Sequence, residues 1–297
     1  MIVSVGSVSL DTTHTPFRTV REVMGGSGTF FSLASSFFTD IGLIGVVGDD
    51  YPREYRKILA DRVDLTGLVI EKGKTFRFDS SFGYDLGKRT TNKTELNIFG
   101  TWKPMVPEEY KDAEYLYLGN VSPEQQLKVL DQMKGPKLTV ADTIEFWIHN
   151  QRDKLIEVIS RTTGMVLNDE EVRQLCHTWN IITGAKTIME WGAEFVIVKK
   201  GEHGAVLFTQ DCIFPTTGYP LEEIMDPTGA GDAFAGGFIG HLVRRGRNDI
   251  KTMKEAIIYG NVMGSFAVER FGVERFLTLT IDEIEGRYQT YREMIAF

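Results

Sequence analysis

The stretch Asp226-Pro-Thr-Gly-Ala-Gly-Asp-Ala-Phe-Ala-Gly-Gly-Phe-Ile-Gly240 joins a glycine-rich loop to an apolar run with helical spacing. Gly-Ala-Gly at residues 229–231 carries almost no side chain, so the backbone can turn tightly and expose its amides. The predicted helix ends in the basic pair Arg244-Arg245, and Gly246 is a normal stop signal. The loop therefore lies at a helix N-terminus, where free N–H groups and the helix dipole favour an anion such as phosphate.

Asp232 falls in the first turn of this predicted helix, beside the loop amides. A carboxylate there is well placed to accept a hydroxyl proton while the amides hold the charge of a transferring phosphoryl group. The alternative is structural, because acidic residues are common in the first turn of any capped helix. Taken alone, the loop leaves both interpretations open.

Composition and charge limit the class of protein. The chain has 297 residues, of which 42% are hydrophobic and 25% charged, as in ordinary globular enzymes. Its net charge of −8 argues against broad non-specific binding of nucleic acids. Cys176 and Cys212 have no metal-ligand spacing and suit a reducing compartment. The N-terminus lacks a signal-peptide pattern, and the longest apolar run, residues 41–48, is far shorter than the roughly 20 residues of a membrane span. We expect a cytoplasmic protein without nucleic-acid or membrane partners.

Short apolar runs alternate with amphipathic stretches along most of the chain. This alternation predicts an α/β fold, in which a mostly parallel central sheet has helices on both faces. Ligands of such sheets usually bind at the carboxyl ends of the strands. The predicted buried strands are Ile2–Val5, residues 41–47, Tyr115–Leu118, Leu138–Ala141, residues 165–167 and residues 195–198.

Residues 74–100 interrupt the alternation, because no helical pattern occurs there. Four aromatic residues share one parity, and period-two spacing puts them on one face of a strand. Together with residues 12–24, this segment predicts a small antiparallel sheet that projects as a lid from a single domain of residues 1–297. A hairpin that extends the main sheet is the alternative. The four aromatic residues are Phe76, Phe78, Phe82 and Tyr84.

Two common nucleotide-binding motifs do not fit the sequence. The nearest match to a P-loop, residues 67–75, has five residues between its glycines and is followed by a strand-like segment. In the two Gly-x-Gly segments, Phe31 and Phe234 stand where a Rossmann fingerprint needs its third glycine or alanine.

The loop resembles the C-terminal signature of the PfkB/ribokinase family of carbohydrate and nucleoside kinases, usually written Asp-Thr-Thr-Gly-Ala-Gly-Asp, with Pro227 in place of the first Thr. Four further motifs resemble that family in order and spacing. They are Gly25-Gly26-Ser-Gly28, Gly45-Val-Val-Gly48-Asp49-Asp50, Asn168-Asp-Glu-Glu171 and Lys200-Gly201-Glu-His-Gly204. The resemblance implies a ribokinase-like three-layer sandwich with a small β-sheet lid. It also implies transfer of phosphate from ATP, with Mg²⁺, to a hydroxyl of a sugar-like or nucleoside substrate.

The resemblance implies a role for each matching residue at the phosphate end. Asp232 is the base, and Gly229, Ala230 and Gly231 form the anion hole. Glu171 acts on Mg²⁺ through water. Asp226 orients the loop, caps a turn or helps to build a monovalent-cation site. A helix N-cap explains Asn168 equally well. The residues implied on the nucleotide side are Asn168, Lys199, Lys200, Gly201, Gly204 and Thr228.

At the other end, Asp11 matches the family aspartate that grips substrate hydroxyls, since an ionised carboxylate accepts two such hydrogen bonds. A solvated loop acid is the alternative. Gly25 and Gly26 would let the substrate approach the backbone. Phe30 occupies the position of a family asparagine in the substrate site, which removes a polar contact typical of ribokinases.

Two departures affect the charge of the phosphate end. Lys199 replaces the threonine that the family has in its nucleotide loop, and the strand end Asp142-Thr-Ile-Glu-Phe-Trp lacks the family arginine. One hypothesis is that Lys199 supplies the positive charge of the missing arginine.

Three functions follow, in this order: a sugar kinase, a nucleoside kinase, and a non-catalytic nucleotide- or sugar-binding regulator. The intact loop argues against the regulator, because binding alone needs no base. Phe30 and the aromatic lid would cover a nucleobase or merely pack apolar surface. The apolar lid face needs a cover, which is either the substrate or the lid of a second subunit. The resemblance favours the second, a homodimer.

Overall fold

The computed structural model describes residues 1–296. Within that range the strands are β1 (Ile2–Val5), β2 (Ser9–His14), β3 (Thr19–Gly25), β4 (Ile41–Gly48), β5 (Leu68–Glu71), β6 (Phe76–Phe82), β7 (Arg89–Glu95), β8 (Tyr115–Leu118), β9 (Leu138–Ala141), β10 (Gly164–Asn168), β11 (Phe195–Lys199), β12 (Ala205–Thr209) and β13 (Ile213–Thr216). The helices of the same range are α1 (Ser27–Ser35), α2 (Arg53–Ala60), α3 (Pro123–Leu130), α4 (Glu145–Asn150), α5 (Arg152–Ile159), α6 (Asp169–Cys176), α7 (Ile181–Glu190), α8 (Ala230–Arg245), α9 (Ile250–Ala267), α10 (Glu274–Thr278) and α11 (Ile281–Ile295). None of these helices is both long enough and apolar enough to cross a membrane.

The main sheet has the strand order β13-β12-β11-β10-β9-β8-β1-β4-β5. The strands from β11 to β5 run parallel, and β12 and β13 add an antiparallel edge. All six predicted strands belong to this sheet, and β1, β8 and β9 have the predicted bounds. Their central residues are buried, as continuous apolar runs between two helical layers require. The α/β prediction is therefore confirmed.

The hydrophobic core forms two layers, one on each face of the main sheet. Because successive strand residues point to opposite faces, Tyr117 packs in the layer with α1, α8 and α9. Its neighbours Leu116 and Leu118 pack in the layer with α3, α5 and α7. The ring of Phe31 stacks on Tyr117 with 3.8 Å between centroids, which fixes α1 against the sheet. The molecule has the predicted three layers.

The second sheet has the order β3-β2-β6-β7 and is separate from the main sheet, so the alternative of an extending hairpin is wrong. The outer pairs, β2–β3 and β6–β7, are antiparallel as predicted, whereas the central pair β2–β6 is parallel. Strand β2 begins at Ser9, earlier than the predicted boundary at residue 12. Asp11 consequently lies on a strand of the small sheet and not in a loop.

The four aromatic residues of the predicted apolar face differ in their surroundings. Phe76 and Phe82 are each 8% exposed, and the ring of Phe76 stacks on Phe99 with 5.1 Å between centroids. Tyr84 is 89% exposed because β6 ends at Phe82, so its inclusion in the face is wrong. The chain itself already buries much of this apolar surface. The physical argument for a homodimer is thereby weakened, and the homodimer stays a prediction.

The strand register determines which side chains share a face of the small sheet. Asp11 lies opposite Phe78, and Phe82 lies opposite Arg89. Paired residues project to the same face and successive residues alternate, so these side chains share one face. The guanidinium of Arg89 accordingly lies 5.1 Å from the ring centroid of Phe78. The other face carries the charged residues Arg77, Asp79, Lys93 and Glu95.

Candidate active site

The glycine-rich loop starts α8 in the way that its sequence predicts. Gly229 is the N-cap residue, with φ of 77°, which is the left-handed region that favours glycine. A Cβ at this position would lie 2.4 Å from ring atoms of Phe30. The amides of Gly231 and Asp232 make no hydrogen bond within the described part of the chain. The loop thus offers two free donors at the positive end of a 16-residue helix.

Phe30 packs against this loop, residues 229–231, which we call the anion loop. Its side chain is 1% exposed, and its ring lies directly against Gly229. A substrate would find no free surface of this ring in the chain as it stands. Phe30 therefore packs beneath the anion loop, and its direct contact with the acceptor stays a prediction.

Asp226 orients the loop. Its Oδ1 accepts a hydrogen bond from the Thr228 amide at 2.9 Å, and its Oδ2 accepts one from the Gly272 amide at 3.2 Å. Burial raises the pKa of this carboxyl group above its usual value. Both oxygens already hold backbone groups, which supports the loop-orienting and turn-capping roles of Asp226. Its part in a monovalent-cation site stays a prediction.

The hydroxyl of Thr228 has a different status. Its Oγ1 atom is inaccessible to solvent and has no hydrogen-bond partner among residues 1–296. Buried hydroxyl groups normally find a partner, so an unpaired one next to free amides suits an oxygen of a bound anion. The residues of the loop therefore fit a phosphate group.

Asp232 is half-buried in the first turn of α8. Burial raises its pKa to about 7, and the negative charge of Asp142 adds to the rise, while Lys199 and Arg89 oppose it. A general base works best when its pKa lies near the operating pH. A carboxyl group with this pKa is suited to accept a proton near neutrality.

Lys199 and Asp142 form a largely buried ion pair at the ends of β11 and β9. Lys199 Nζ lies 3.0 Å from Asp142 Oδ2. A Cβ on Gly231 would lie 2.9 Å from the same Nζ atom, so the ammonium group borders the anion loop. Burial opposes the charge of Lys199, but the carboxylates of Asp142, Glu171 and Asp232 outweigh it and raise the pKa. Lys199 is thus held as a cation beside the anion loop.

Asn168 and Glu171 form a reciprocal cap at the start of α6. The Asn168 amide donates to Glu171 Oε2 at 2.8 Å, and the Glu171 amide donates to Asn168 Oδ1 at 2.7 Å. The helix-cap interpretation of this motif is therefore correct. Glu171 is also buried, and burial together with the charge of Asp142 raises its pKa to about 8. Its Oε1 atom makes no hydrogen bond within residues 1–296, which leaves it available to a metal-bound water.

Asp11 occupies the other end of the site. It is 5% exposed, so the alternative of a solvated loop acid is wrong. Ser9 Oγ donates to its Oδ1 at 2.6 Å, and burial raises its pKa to about 7. A Cβ on Gly25 would lie 2.0 Å from Asp11 Oδ2, and one on Gly26 would lie 2.3 Å from Ser7 O. Both glycines therefore allow close packing around Asp11.

The predicted nucleotide loop, Lys200 to Gly204, forms a tight turn between β11 and β12. The Lys200 amide donates to Gly204 O at 2.7 Å, and Gly201 and Gly204 have φ values of 57° and 88°. A Cβ on Gly204 would lie 2.3 Å from Thr216 O. The turn directly follows Lys199, so it lies next to the phosphate end of the site.

Two residues that the sequence analysis did not assign belong to the same cluster. Asp142 is the partner of Lys199, and its charge raises the pKa of Asp232 and Glu171. Arg89, on the small sheet, opposes the pKa rise of all three carboxyl groups, at positions 11, 171 and 232. The charge of Arg89 therefore acts on the site from the small sheet. The sequence signal for Arg89 is its place in the alternation of side chains along β7. This place identifies the face of the sheet only once the register of β6 with β7 is known.

The raised pKa values predict how stability depends on pH without ligands. The carboxyl groups of Asp11, Asp232 and Glu171 have pKa values of about 7, 7 and 8, whereas unfolded carboxyl groups titrate near 4. The folded chain therefore binds more protons than the unfolded chain between these limits, and its stability falls as pH rises through them. His241, whose pKa burial lowers to about 4, acts in the opposite direction, but only below about pH 6.5.

We expect the thermal midpoint Tm to fall from about pH 6.5 to about pH 8. Thermal unfolding by circular dichroism across this interval is the measurement, and Asp232→Asn should reduce the slope. A Tm that rises over the same interval would contradict burial as the main cause of the shifts.

Comparison with known proteins gives one family and consistent relatives. Residues 1–278 match the family model described as pfkB family carbohydrate kinase. The cytidine kinase of Thermococcus kodakarensis is 30% identical over 243 residues, which cover 80% of this chain and 87% of that protein. The nucleoside kinase of Methanocaldococcus jannaschii is 25% identical over 191 residues, or 64% of this chain and 60% of that one.

Solved structures agree on the fold. A putative ribokinase II from E. coli, in complex with ATP and Mg²⁺, superposes with a TM-score of 0.79 at 22% identity and covers 97% of this chain and 99% of its own. At this identity the likeness establishes the ribokinase-like architecture, with its large sheet and its small one.

Proposed function

The chain belongs to the pfkB family of carbohydrate kinases, and on that premise we propose that it transfers a phosphoryl group from ATP to a hydroxyl of a nucleoside. Family membership makes the protein a carbohydrate or nucleoside kinase. The choice of a nucleoside is supported by the cytidine kinase at 30% identity and by the nucleoside kinase at 25% identity. A small sugar, the first choice from the sequence, is now the second candidate. It remains a candidate because the family is described by carbohydrate acceptors.

One observation carries the catalytic part of the proposal. Asp11 and the anion loop are far apart in the sequence, yet both pack against the start of α1. A Cβ on Gly25, just before α1, would lie 2.0 Å from Asp11 Oδ2, and a Cβ on Gly229 would lie 2.4 Å from the ring of Phe30, in the first turns of α1. The residue suited to binding hydroxyls and the loop that starts the helix of Asp232 are therefore brought to the same end of α1. A non-catalytic regulator would need Asp11 but not Asp232.

The reaction follows from these positions. Asp11 Oδ2 accepts a hydrogen bond from an acceptor hydroxyl and fixes its orientation. Asp232 accepts the proton of the attacking hydroxyl, whose oxygen forms a bond to the γ-phosphorus of ATP. The bond from that phosphorus to the β–γ bridging oxygen breaks, and ADP leaves with the electron pair. Asp232 then releases the proton to solvent.

The anion loop and Lys199 hold the charge of the transferring group. The free amides of Gly231 and Asp232 and the unpaired hydroxyl of Thr228 donate hydrogen bonds to its oxygens. Lys199, beside Gly231, adds a positive charge that is largely shielded from water. Fixed donors of this kind stabilise a transition state because they need no reorientation during the reaction.

Glu171 and its surroundings fit a magnesium ion. When bound, Mg²⁺ neutralises phosphate charge and holds the β- and γ-phosphates in place. Glu171 Oε1 is the free acceptor that would take a hydrogen bond from a metal-bound water, and the cap to Asn168 fixes its orientation. Deprotonation of Glu171, whose pKa lies at about 8 without ligands, is then favoured by the nearby positive charge.

Glu171→Gln separates the two roles of this residue. Glutamine at the third position of a helix still completes a capping box, so the fold should be retained. Loss of the carboxylate should raise the Mg²⁺ concentration for half-maximal activity several-fold. Activity is measured against Mg²⁺ at fixed ATP, with Glu170→Gln, an exposed neighbour on the same helix, as the matched control. An unchanged Mg²⁺ titration would restrict Glu171 to its cap.

The proposal as a whole is tested by incubating the chain with ATP, Mg²⁺ and either nucleosides or sugars, with ADP release as the readout. Asp232→Asn, purified in the same way, controls for contaminating kinases. We expect release with a ribonucleoside that depends on Asp232. Release with sugars alone would favour the second candidate, and release with neither would favour the regulator.

A further inference from the structure

Tyr51 carries a buried hydroxyl group that the chain itself does not use. The residue is 5% exposed, and its hydroxyl oxygen has no hydrogen-bond partner among residues 1–296. Burial of a hydroxyl group without a partner is unfavourable, so native proteins rarely contain one without a reason. A phenylalanine would fill the same space without this cost. The hydroxyl therefore suggests a partner that binds from outside.

The position of Tyr51 relates it to the acceptor end of the site. It follows β4, and its amide donates to Gly48 O at 3.1 Å. Its ring packs edge-on against Tyr55, with 6.0 Å between centroids. The hydroxyl of Tyr55 donates to Glu22 O at 3.4 Å, and the next residue, Val23, pairs with Asp11 across β3 and β2. Tyr51 thus lies just after the carboxyl end of β4. Through Tyr55 it is connected to β3, the strand that pairs with the Asp11 strand β2.

The electrostatic effect of Asp11 on Tyr51 also relates the two residues. Burial is the main cause of the raised pKa of Tyr51, and the neighbouring Tyr55 and the negative charge of Asp11 add to it. Asp11 already accepts hydrogen bonds from the Ser9 hydroxyl and the Gly26 amide, and a carboxylate has lone pairs for further ones. A phenol group on which the charge of Asp11 acts adds a hydrogen-bond donor at this end of the site.

We propose that the Tyr51 hydroxyl binds the acceptor, as a second hydrogen-bonding group beside Asp11 that recognises a vicinal diol such as that of ribose. The inference rests on the proposed function. One hydroxyl of the diol donates to Asp11, and its neighbour accepts a hydrogen bond from Tyr51. A site built to bond two hydroxyls discriminates strongly against an analogue that lacks one, because a buried group is then left unpaired. Tyr51 is accordingly a residue for selecting ribonucleosides over deoxyribonucleosides.

Tyr51→Phe tests this assignment because it removes only the unpaired oxygen. The Tm of the free chain should stay the same or rise, since no hydrogen bond is lost. KM for the ribonucleoside should rise roughly tenfold, with KM for ATP unchanged. Tyr55→Phe is the matched control, since it removes the hydroxyl of the neighbouring tyrosine, which already has a partner in the chain. It should leave KM for the acceptor unchanged.

Deoxynucleosides identify the contacted hydroxyl. The ratio of KM values between Tyr51→Phe and wild type should fall to about one for the single deoxy analogue that lacks the hydroxyl bound by Tyr51. Equal KM values of variant and wild type for every acceptor would overturn the inference, as would a rise in KM for ATP together with a loss of Tm. A wild-type chain that phosphorylates only sugars would refute the proposed nucleoside instead, and the same comparison with that sugar and its deoxy analogues would still decide the role of Tyr51.

Discussion

Asp232→Asn is expected to lower kcat by roughly 10²–10⁴-fold, the usual contribution of a positioned general base. Asparagine has nearly the same shape, keeps the first turn of α8 and leaves the free amides of the loop in place, but it cannot accept the hydroxyl proton. Affinity for ATP should be preserved, and the Tm should equal that of wild type or exceed it above pH 7, because burial disfavours the ionised carboxylate in the folded chain. Steady-state kinetics at saturating ATP and acceptor is the measurement.

The pH profile makes this prediction specific. Since burial raises the pKa of Asp232 to about 7, kcat/KM of the wild-type chain should rise with pH up to that value and then level off. The residual activity of Asp232→Asn should lack this dependence. Asp40→Asn is the matched control, because Asp40 is exposed and precedes the amino end of β4, the edge opposite the site. Activity of Asp232→Asn within a few-fold of wild type would remove this residue from the mechanism.

Lys199→Met is expected to reduce both activity and stability. Loss of a fixed positive charge beside the anion loop should lower kcat by roughly 10²–10³-fold, in the range found for single transition-state donors. Removal of one partner also leaves Asp142 buried and uncompensated, which should lower the free energy of unfolding by about 3–5 kcal/mol. Denaturant unfolding and initial-rate kinetics give the two quantities separately.

The double variant Lys199→Met with Asp142→Asn distinguishes catalysis from charge balance. Asparagine removes the uncompensated charge and keeps an oxygen that can accept from the Thr143 amide, as Asp142 Oδ1 does at 2.7 Å. Stability should therefore largely recover, whereas kcat should stay low. Recovery of kcat along with stability would mean that Lys199 serves only to neutralise Asp142.

Local sequence was sufficient for the architecture and for the centre of the site. The buried strands are predictable from apolar runs of three to seven residues, since a strand between two helical layers needs no other signal. The anion loop was predicted because glycine conformation, helix start and helix dipole all depend on neighbouring residues. The same holds for the cap formed by Asn168 and Glu171, which are three positions apart. The substrate was not predictable in this way, since the sequence favoured a sugar before the relatives favoured a nucleoside.

Every property that depends on residues far apart in the sequence was decided only by the tertiary structure. Lys199 meets Asp142 across 57 positions, and Phe30 lies under Gly229 at the far end of the chain. The strand end at Phe82 separates Tyr84 from the aromatic face, and the register of β6 with β7 turns Arg89 toward the carboxylates. Pairing between strands and burial by distant side chains set these positions and the pKa values that follow from them. No local pattern encodes a register or a burial depth, because both are fixed only when separate segments pack together.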